Sequence, residues 1–542
     1  MRYSSDRSTP ARLTAARLTA ALLAGGLVLA TAGAAGAAAG PVTAPAACRG
    51  AAGDTLAGDI NGDGFGDLVV TEYGRTRLQG GIHVFYGTAK GLTAEATGTA
   101  PDDEFLTQDS PGVPDKSEDS DEWGAALAVA DFNGDRCADV AVGAPGENGT
   151  TGAVTILYGS PTGLITAKGK PRPLHLSQNS PGIPDSAEPN DRFGATLAAG
   201  DFDGDGIADL AVGAPGETQG KAFGAGYVTV LFGATGGLNA GRKPADLRPG
   251  RGVVGGKAED SDAFGAALAA GDVTGDGIDE LIVGVPGEDG RGAVALLRGT
   301  RDGFTAPAAT FDRGTAGAGK PTFGDAFGAA LTTGDFNGDG RADVAIGMPG
   351  ADRSRGAVAV LHAAPDGLSA PQLWRQGDDT VSGAAQDGDR FGAVLAAGRL
   401  AEGKYDGLAI GAPGDAVGTP GGTVANAGSV TVLLGSAQGL RAKGAVLVSQ
   451  ATPGVGGDPT TGDRFGAALL VRRLTGSGPA RLVVGVPAEG AAGTPNHRSG
   501  AFTVLGAGAA RPTGAGSEFW DLNRPGTAGD PARGVFLGYA LG

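Results

Sequence analysis

Cysteine occurs only at positions 48 and 137, histidine only four times, and lysine plus arginine total 42 against 59 aspartates and glutamates. Each scarcity removes a class of function. His83, His175, His362 and His497 are scattered with no metal-ligand spacing, so a histidine-based metal or acid–base centre has no support. No basic stripe interleaved with stacking aromatics occurs, which argues against nucleic acid as a partner. The chain has no Gly-x-Ser-x-Gly elbow and no phosphate-binding Gly-Lys-Ser/Thr loop. It also lacks an apolar run of bilayer length. The longest, around Leu18 to Ala30, is short and dissolves into alanine and glycine, so no membrane span is expected.

That short run follows Arg2, Arg7, Arg12 and Arg17 and leads into a small-residue tract ending near Ala39. This is the pattern of a secretory signal peptide over residues 1–39. Residues 40–53 then read as a linker, and the Ala- and Gly-rich leader points to a bacterial protein that is secreted or held at the cell envelope. In an oxidising compartment an even pair of cysteines predicts a Cys48–Cys137 disulfide, with two free thiols as the alternative.

Glycine and acid are abundant, and they recur together. Nine-residue acidic loops stand at DINGDGFGD, DFNGDRCAD, DFDGDGIAD, DVTGDGIDE and DFNGDGRAD, starting at Asp59, Asp131, Asp201, Asp272 and Asp335. Calcium is a hard cation that takes six to eight oxygens, and carboxylate or amide side chains at positions 1, 3, 5 and 9 with the carbonyl of position 7 can encircle one ion. The expected ligands are Asp59, Asn61, Asp63, Phe65 and Asp67 in the first loop, and Asp131, Asn133, Asp135, Cys137 and Asp139 in the second. The third offers Asp201, Asp203, Asp205, Ile207 and Asp209; the fourth Asp272, Thr274, Asp276, Ile278 and Glu280; the fifth Asp335, Asn337, Asp339, Arg341 and Asp343. Phe65, Cys137, Ile207, Ile278 and Arg341 enter through their carbonyls alone.

An EF-hand would place glutamate at position 12, between two helices. Here position 12 is Val70, Val142, Val212, Val283 or Ile346, inside a β-branched run that reads as a strand. The side-chain positions of the five loops hold sixteen carboxylates, which explains most of the net charge of −17. About five structural Ca²⁺ ions are therefore the expected cofactors, and no catalytic residue is singled out.

The loops mark a period of about seventy residues, each unit beginning with an aromatic-Gly-Ala segment at Trp123, Phe193, Phe264, Phe327, Phe391 and Phe465. Units of this length, built from short strands and turns with no helical periodicity, predict an all-β, seven-bladed β-propeller over residues 54–542. The first unit lacks its aromatic lead-in. Phe536-Leu537-Gly538-Tyr539-Ala540-Leu541-Gly542 at the other end supplies an FG-x-AL-like segment, so the ring is expected to close by pairing the two ends of the chain.

The segment FGATLAAGDFDGDGIADLAVGAPG from Phe193 resembles the FG-GAP repeats of the integrin alpha-subunit N-terminal propeller and of bacterial secreted proteins. The resemblance spans roughly residues 54 to 542. It departs at units six and seven, where RLAEGKYDG and RLTGSGPAR put Arg399 and Arg473 at the first ligand position, so these two loops are not expected to bind calcium. The resemblance implies a secreted binding or adhesion module whose ligand, an extracellular protein or glycan, meets the face opposite the calcium loops. Trp123 and Tyr73 are the candidate exposed aromatics there. The alternative is an extracellular hydrolase or lyase acting on polysaccharide or phosphodiester. A phospholipase carrying such repeats needs a separate catalytic domain, for which residues 40–53 are too short.

Overall fold

Alternating apolar residues, broken by glycine-rich turns, fold here as seven small antiparallel blade sheets and two separate two-stranded hairpins. The structure is a computed structural model that describes residue 48 and residues 58–96, 101–164, 171–306, 308–364, 367–378, 381–490, 499–508, 510–528 and 535–542. The expected signal peptide, and the linker apart from Cys48, lie outside the described residues. All of the described residues belong to the compact unit Pro45–Gly542.

Blade 2 shows the plan: Ala126–Ala130, Asp139–Ala144, Ala153–Leu157 and Leu174–Leu176 pair in chain order. The second and third strands are buried throughout because both faces meet neighbouring blades. Blades 3 to 7 repeat this order, from Thr196–Gly200 in blade 3 to Pro512–Trp520 in blade 7. In blade 1 the strand Leu68–Glu72 pairs on one side with Ile82–Thr88 and on the other with Leu537–Leu541, the last strand of the chain. The C-terminal segment thus takes the first-strand place that the N-terminal unit lacks.

Seven apolar clusters fill the seams between adjacent blades. One joins blade 7 to blade 1 through Leu68, Val70, Phe85, Phe502, Trp520 and Leu537. The lead-in aromatics Trp123, Phe193, Phe264, Phe327, Phe391 and Phe465 are all buried in these seams.

The paired glycines have a steric cause. Gly143 sits in the second strand of blade 2, and a Cβ there would collide with the carbonyl oxygen of Gly194, the glycine of the next blade's Phe-Gly pair. Gly284 meets Gly328, and Gly347 meets Gly392, in the same way. The blades therefore approach at backbone distance. Gly194 in turn donates its N–H to the carbonyl of Gly213, the corresponding strand glycine of its own blade, at 3.0 Å.

Two expectations change. Trp123 is fully buried, with its indole N–H donated to Thr155 Oγ1 at 3.2 Å, so it is a packing residue and no ligand platform. At the C-terminus it is Leu537, fully buried and bridged to Gly500, that takes the lead-in aromatic's place, as Phe193 is bridged to Gly152. Phe536 instead has φ 55°, the left-handed conformation that Glu122, Arg192, Ala263, Ala326, Arg390 and Arg464 adopt just before their own lead-in residues.

Candidate metal loops and the opposite face

Four of the acidic loops link the first strand of their blade to the second, and the first, Asp59–Asp67, leads into the corresponding second strand Leu68–Glu72 of blade 1, so all five lie at one end of their sheets. The third is the most acidic. Asp201 Oδ1 accepts the backbone N–H groups of Gly204 and Asp205 at 2.7 and 3.1 Å, and Oδ2 accepts that of Gly206 at 2.9 Å. This curls the chain around the position 1 carboxylate. Asp205 accepts the N–H of Ile207 at 2.8 Å. Asp209, fully buried, accepts the N–H of Phe202 at 2.9 Å and that of Gly233, two residues past the third strand Tyr227–Leu231, at 2.8 Å. Asp201, Asp203 and Asp209 each bring an oxygen within 4.8 Å of the others. Burial pushes the Asp209 carboxyl up to about 8, with the Asp203 and Asp201 charges adding to the rise and the hydrogen bonds from Gly233 and Phe202 opposing it.

A buried carboxylate held among other carboxylates is costly without a counter-charge. The oxygen-only donor set, with a fully buried acid at position 9, fits a calcium-class ion, whose positive charge and oxygen preference answer both features.

The other four loops repeat the curl with local changes. Asp59 accepts from Asp63 and Gly64, and Asp67 from Ile60 and Gly87. Asp131 accepts from Gly134, Asp135 and Arg136, while Asn133 Oδ1 accepts the Asp135 N–H. Arg136 stands where the other four loops have glycine, and it still adopts φ 73°, so one residue with a Cβ carries the left-handed turn. In the fourth loop Asp272 accepts from Gly275, Asp276 and Gly277, and Glu280 reaches Val273 and Thr274. There Arg298 pairs with Asp276 at 2.9 Å and lowers the pKa of that carboxyl. In the fifth, Asp335 accepts from Gly338, Asp339 and Gly340, Asn337 Oδ1 accepts the Asp339 N–H, and His362 Nδ1 lies 3.0 Å from Asp343. Position 7 behaves alike in all five: Phe65, Cys137, Ile207, Ile278 and Arg341 each donate their N–H to the position 5 carboxylate.

Cys137 also bonds Cys48 through a disulfide, with Cα atoms 5.4 Å apart, which ties residue 48 to the second loop. In the sixth loop Arg399 Nε lies 3.4 Å from Asp406 and Nη1 donates to the Gly403 carbonyl at 2.6 Å, so the guanidinium is held by groups of its own loop.

One link between the loops is not apparent from the sequence. The position 1 carbonyl of each loop accepts the position 8 N–H of the next blade's loop: Ala138 to Asp59, Ala208 to Asp131, Asp279 to Asp201, Ala342 to Asp272 and Asp406 to Asp335, all at 2.8–3.0 Å. The sixth and seventh loops continue it, Ala480 donating to Arg399. The loops are hydrogen-bonded into a chain whether or not they carry the acidic pattern.

At the opposite end of the sheets lie the second-to-third strand turns and the connections between blades. Phe223, in the turn 216–226 of blade 3, is 71% exposed, and Phe323, in the connection into blade 5, is 85% exposed. Tyr73 stacks on Tyr539 with ring centroids 3.9 Å apart. Tyr539, Arg390, Arg464 and Asn426 line a cavity of about 730 Å³.

The FG-GAP repeat family pattern matches residues 123–157, 193–231, 264–297 and 327–361, which are the inner three strands of blades 2 to 5. Phosphatidylinositol-glycan-specific phospholipase D of Bos taurus is 35% identical over 174 residues, which is 31% of this chain and 19% of that protein. Integrin alpha-PS2 of Drosophila melanogaster is 29% identical over 280 residues, 49% of this chain and 18% of that protein. Integrin alpha-IIb of Homo sapiens is 31% identical over 263 residues, 46% of this chain and 22% of that protein. The chain thus spans about a fifth of the length of these curated relatives. Among the described residues no helix is long and apolar enough to cross a membrane. With four matched repeats, six four-stranded sheets and one of five strands forming seven blades, and integrin alpha relatives, the chain is an integrin-alpha-like FG-GAP β-propeller.

Proposed function

We propose that this propeller is a secreted, calcium-stabilised binding or adhesion module, with calcium loops holding one face rigid and the opposite face meeting an extracellular protein or glycan. The division of labour between the two faces supports this reading. On the loop face, five similar carboxylate curls and the hydrogen bonds between neighbouring loops are repeated features that hold strands in place. On the other face the turns differ from blade to blade and carry Phe223, Phe323 and the Tyr73–Tyr539 stack beside a cavity large enough for a small ligand or a side chain. Exposed aromatics with few rotatable bonds suit recognition because little entropy is lost when they are covered. The leader over residues 1–39 supports secretion.

The test is retention of the protein on a panel of cell-wall glycans, plant polysaccharides and matrix proteins, in calcium and in chelator, with released products assayed in parallel. Calcium-dependent retention that Phe223→Ser or Phe323→Ser weakens, with no product released, supports the reading. Released sugar or phosphate overturns it in favour of a hydrolase or lyase.

A further inference from the structure

A second repeated polar set lies at the seams between blades, on the face opposite the acidic loops. Two residues before each lead-in aromatic stands a buried aspartate: Asp121, Asp191, Asp262, Asp325, Asp389 and Asp463. Each accepts the backbone N–H of the residue three before it, at 2.5–2.7 Å. An acid follows the Gly-x-Pro-Gly turn at Glu147, Glu217, Glu288 and, in blade 6, Asp415, and Glu489 follows the Gly-Val-Pro-Ala turn of blade 7. Four of these acids take a hydrogen bond from a buried glutamine 39 residues earlier: Gln108 to Glu147 at 2.8 Å, Gln178 to Glu217 at 2.6 Å, Gln376 to Asp415 at 3.0 Å, and Gln450 to Glu489.

Between blades 1 and 2, and between blades 2 and 3, a third acid joins. Glu118, Asp121 and Glu147 bring their oxygens within 4.8 Å of one another, as do Glu188, Asp191 and Glu217. In each triad two acids are buried and the third, Glu118 or Glu188, is exposed, which gives an ion a way in. Among the described residues none of the six forms an ion pair with lysine, arginine or histidine. Three buried oxygens at these seams have no hydrogen-bond partner: Gln108 Oε1, Gln178 Oε1 and Asp191 Oδ1. The glutamine amides, 1% exposed, are already docked on the triads' glutamates. Turning either amide over would present its unpartnered oxygen as a neutral ligand, and the two orientations are nearly indistinguishable in shape.

The other seams act as controls within the same chain. Between blades 4 and 5 the glutamate's place is taken by Ala351 and the glutamine's by Arg313, whose Nη1 lies 2.9 Å from Asp325 Oδ2. Where the acids fall to one, the chain supplies its own cation and drops the amide. Between blades 3 and 4 the three acids remain as Glu259, Asp262 and Glu288, but Pro249 replaces the glutamine. Between blades 5 and 6 and blades 6 and 7, Gln386 and Thr460 stand where the third acid would be.

We propose that the seams between blades 1 and 2 and between blades 2 and 3 each bind one hard divalent cation of the calcium class. Gln108, Glu118, Asp121 and Glu147 hold the first, and Gln178, Glu188, Asp191 and Glu217 the second. Three carboxylates and an amide oxygen form the all-oxygen set such an ion prefers, and the ion supplies the charge that Arg313 supplies two seams further on. Burial raises the pKa of Glu147 and Glu217 above that of an ordinary carboxyl, as expected of acids lacking a counter-charge.

The test uses the full chain stripped with EDTA and then dialysed against CaCl₂, counting bound ions. Glu147→Gln and Glu217→Gln should each lower the count by one and the double variant by two, with circular dichroism unchanged. Transplanting the natural alternative, Gln178→Arg with Glu217→Ala, should also remove one ion while raising the melting temperature in chelator. Manganese-soaked crystals of the unaltered protein should show anomalous peaks at both seams, a readout that needs no variant to fold. An unchanged ion count in the Glu147→Gln/Glu217→Gln variant, or no peak at either seam, overturns the proposal and leaves the triads as acids that share protons. The loop assignment fails separately, through Asp201→Ala retaining the full count.

Discussion

Removing calcium from the five loops should lower the melting temperature by an amount that can be worked out, and Asp201→Ala should remove about one fifth of the loops' share. Extracellular calcium modules bind at roughly 10⁻⁴ to 10⁻³ M, so in 10 mM calcium each loop ion contributes RT ln(1 + [Ca]/Kd), about 1.4 to 2.7 kcal/mol. Five such ions give roughly 7 to 14 kcal/mol. An unfolding entropy of about 2.1 cal/mol/K per residue makes about 1 kcal/mol equivalent to about 1 °C for a cooperative unit the length of Pro45–Gly542. The loops alone should therefore separate calcium from chelator by about 7 to 14 °C. In chelator, Asp201→Ala still loses the acceptor for the N–H groups of Gly204, Asp205 and Gly206. Those groups reach water once freed, so the loss is about 1 to 2 kcal/mol. The variant should melt about 1 to 2 °C low in chelator and about 2 to 5 °C low in calcium. Arg399→Ala, which removes a half-exposed guanidinium from a loop with no acid at position 1, should leave the calcium-induced shift intact. Scanning calorimetry of the three proteins in both buffers gives the answer. A calcium-induced shift in Asp201→Ala equal to that of the unaltered chain would refute the loop assignment.

The Cys48–Cys137 bridge closes a sequence separation of 89 residues, so Cys48→Ser with Cys137→Ser should cost about 4 to 5 kcal/mol, read as a fall in the urea midpoint; an unchanged midpoint would mean that the bridge constrains little. His83 is fully buried, with Nδ1 3.3 Å from Asp103 and Nε2 3.0 Å from Glu72. Burial pulls its pKa down, but the bonds to the two carboxylates outweigh this and the net direction is up. Its contribution is therefore complete below about pH 6.5, the ordinary histidine value, and is lost as pH rises through the folded value. His83→Gln should flatten that alkaline fall in urea midpoints measured between pH 6 and 9, and identical slopes would count against the paired histidine. Gly347→Ala should cost about 1 to 3 kcal/mol, because its Cβ meets the Gly392 carbonyl, whereas Gly418→Ala, with open space around it, should melt as the unaltered chain does.

Some of these features were readable from sequence and others were not, and the difference lies in where each constraint is written. The acidic loops are local: all their side-chain donors fall within nine residues, so residue types at alternating positions reveal the curl before any tertiary contact is known. The strands are local in the same sense, since alternation and turn residues repeat with each blade. Trp123 shows the first limit. Its neighbours Asp119, Ser120 and Glu122 suggest an exposed loop, but the indole is buried by strands from the adjoining blade that the local pattern does not contain. Phe536 shows another. An aromatic beside glycine matches the lead-in by type, yet the backbone register sets Leu537 against Gly500 and leaves Phe536 at the left-handed position, which Glu122, Ala263 and Arg390 fill equally well. The seam acids lie furthest from legibility. Gln178 comes from the outer edge of blade 2, Asp191 from the connection, and Glu217 from the turn of blade 3, so no short window contains the set. What betrays them is comparison between seams: Arg313 and Ala351 change together at one junction, which follows if the position has to balance charge and has no explanation if it only fills space.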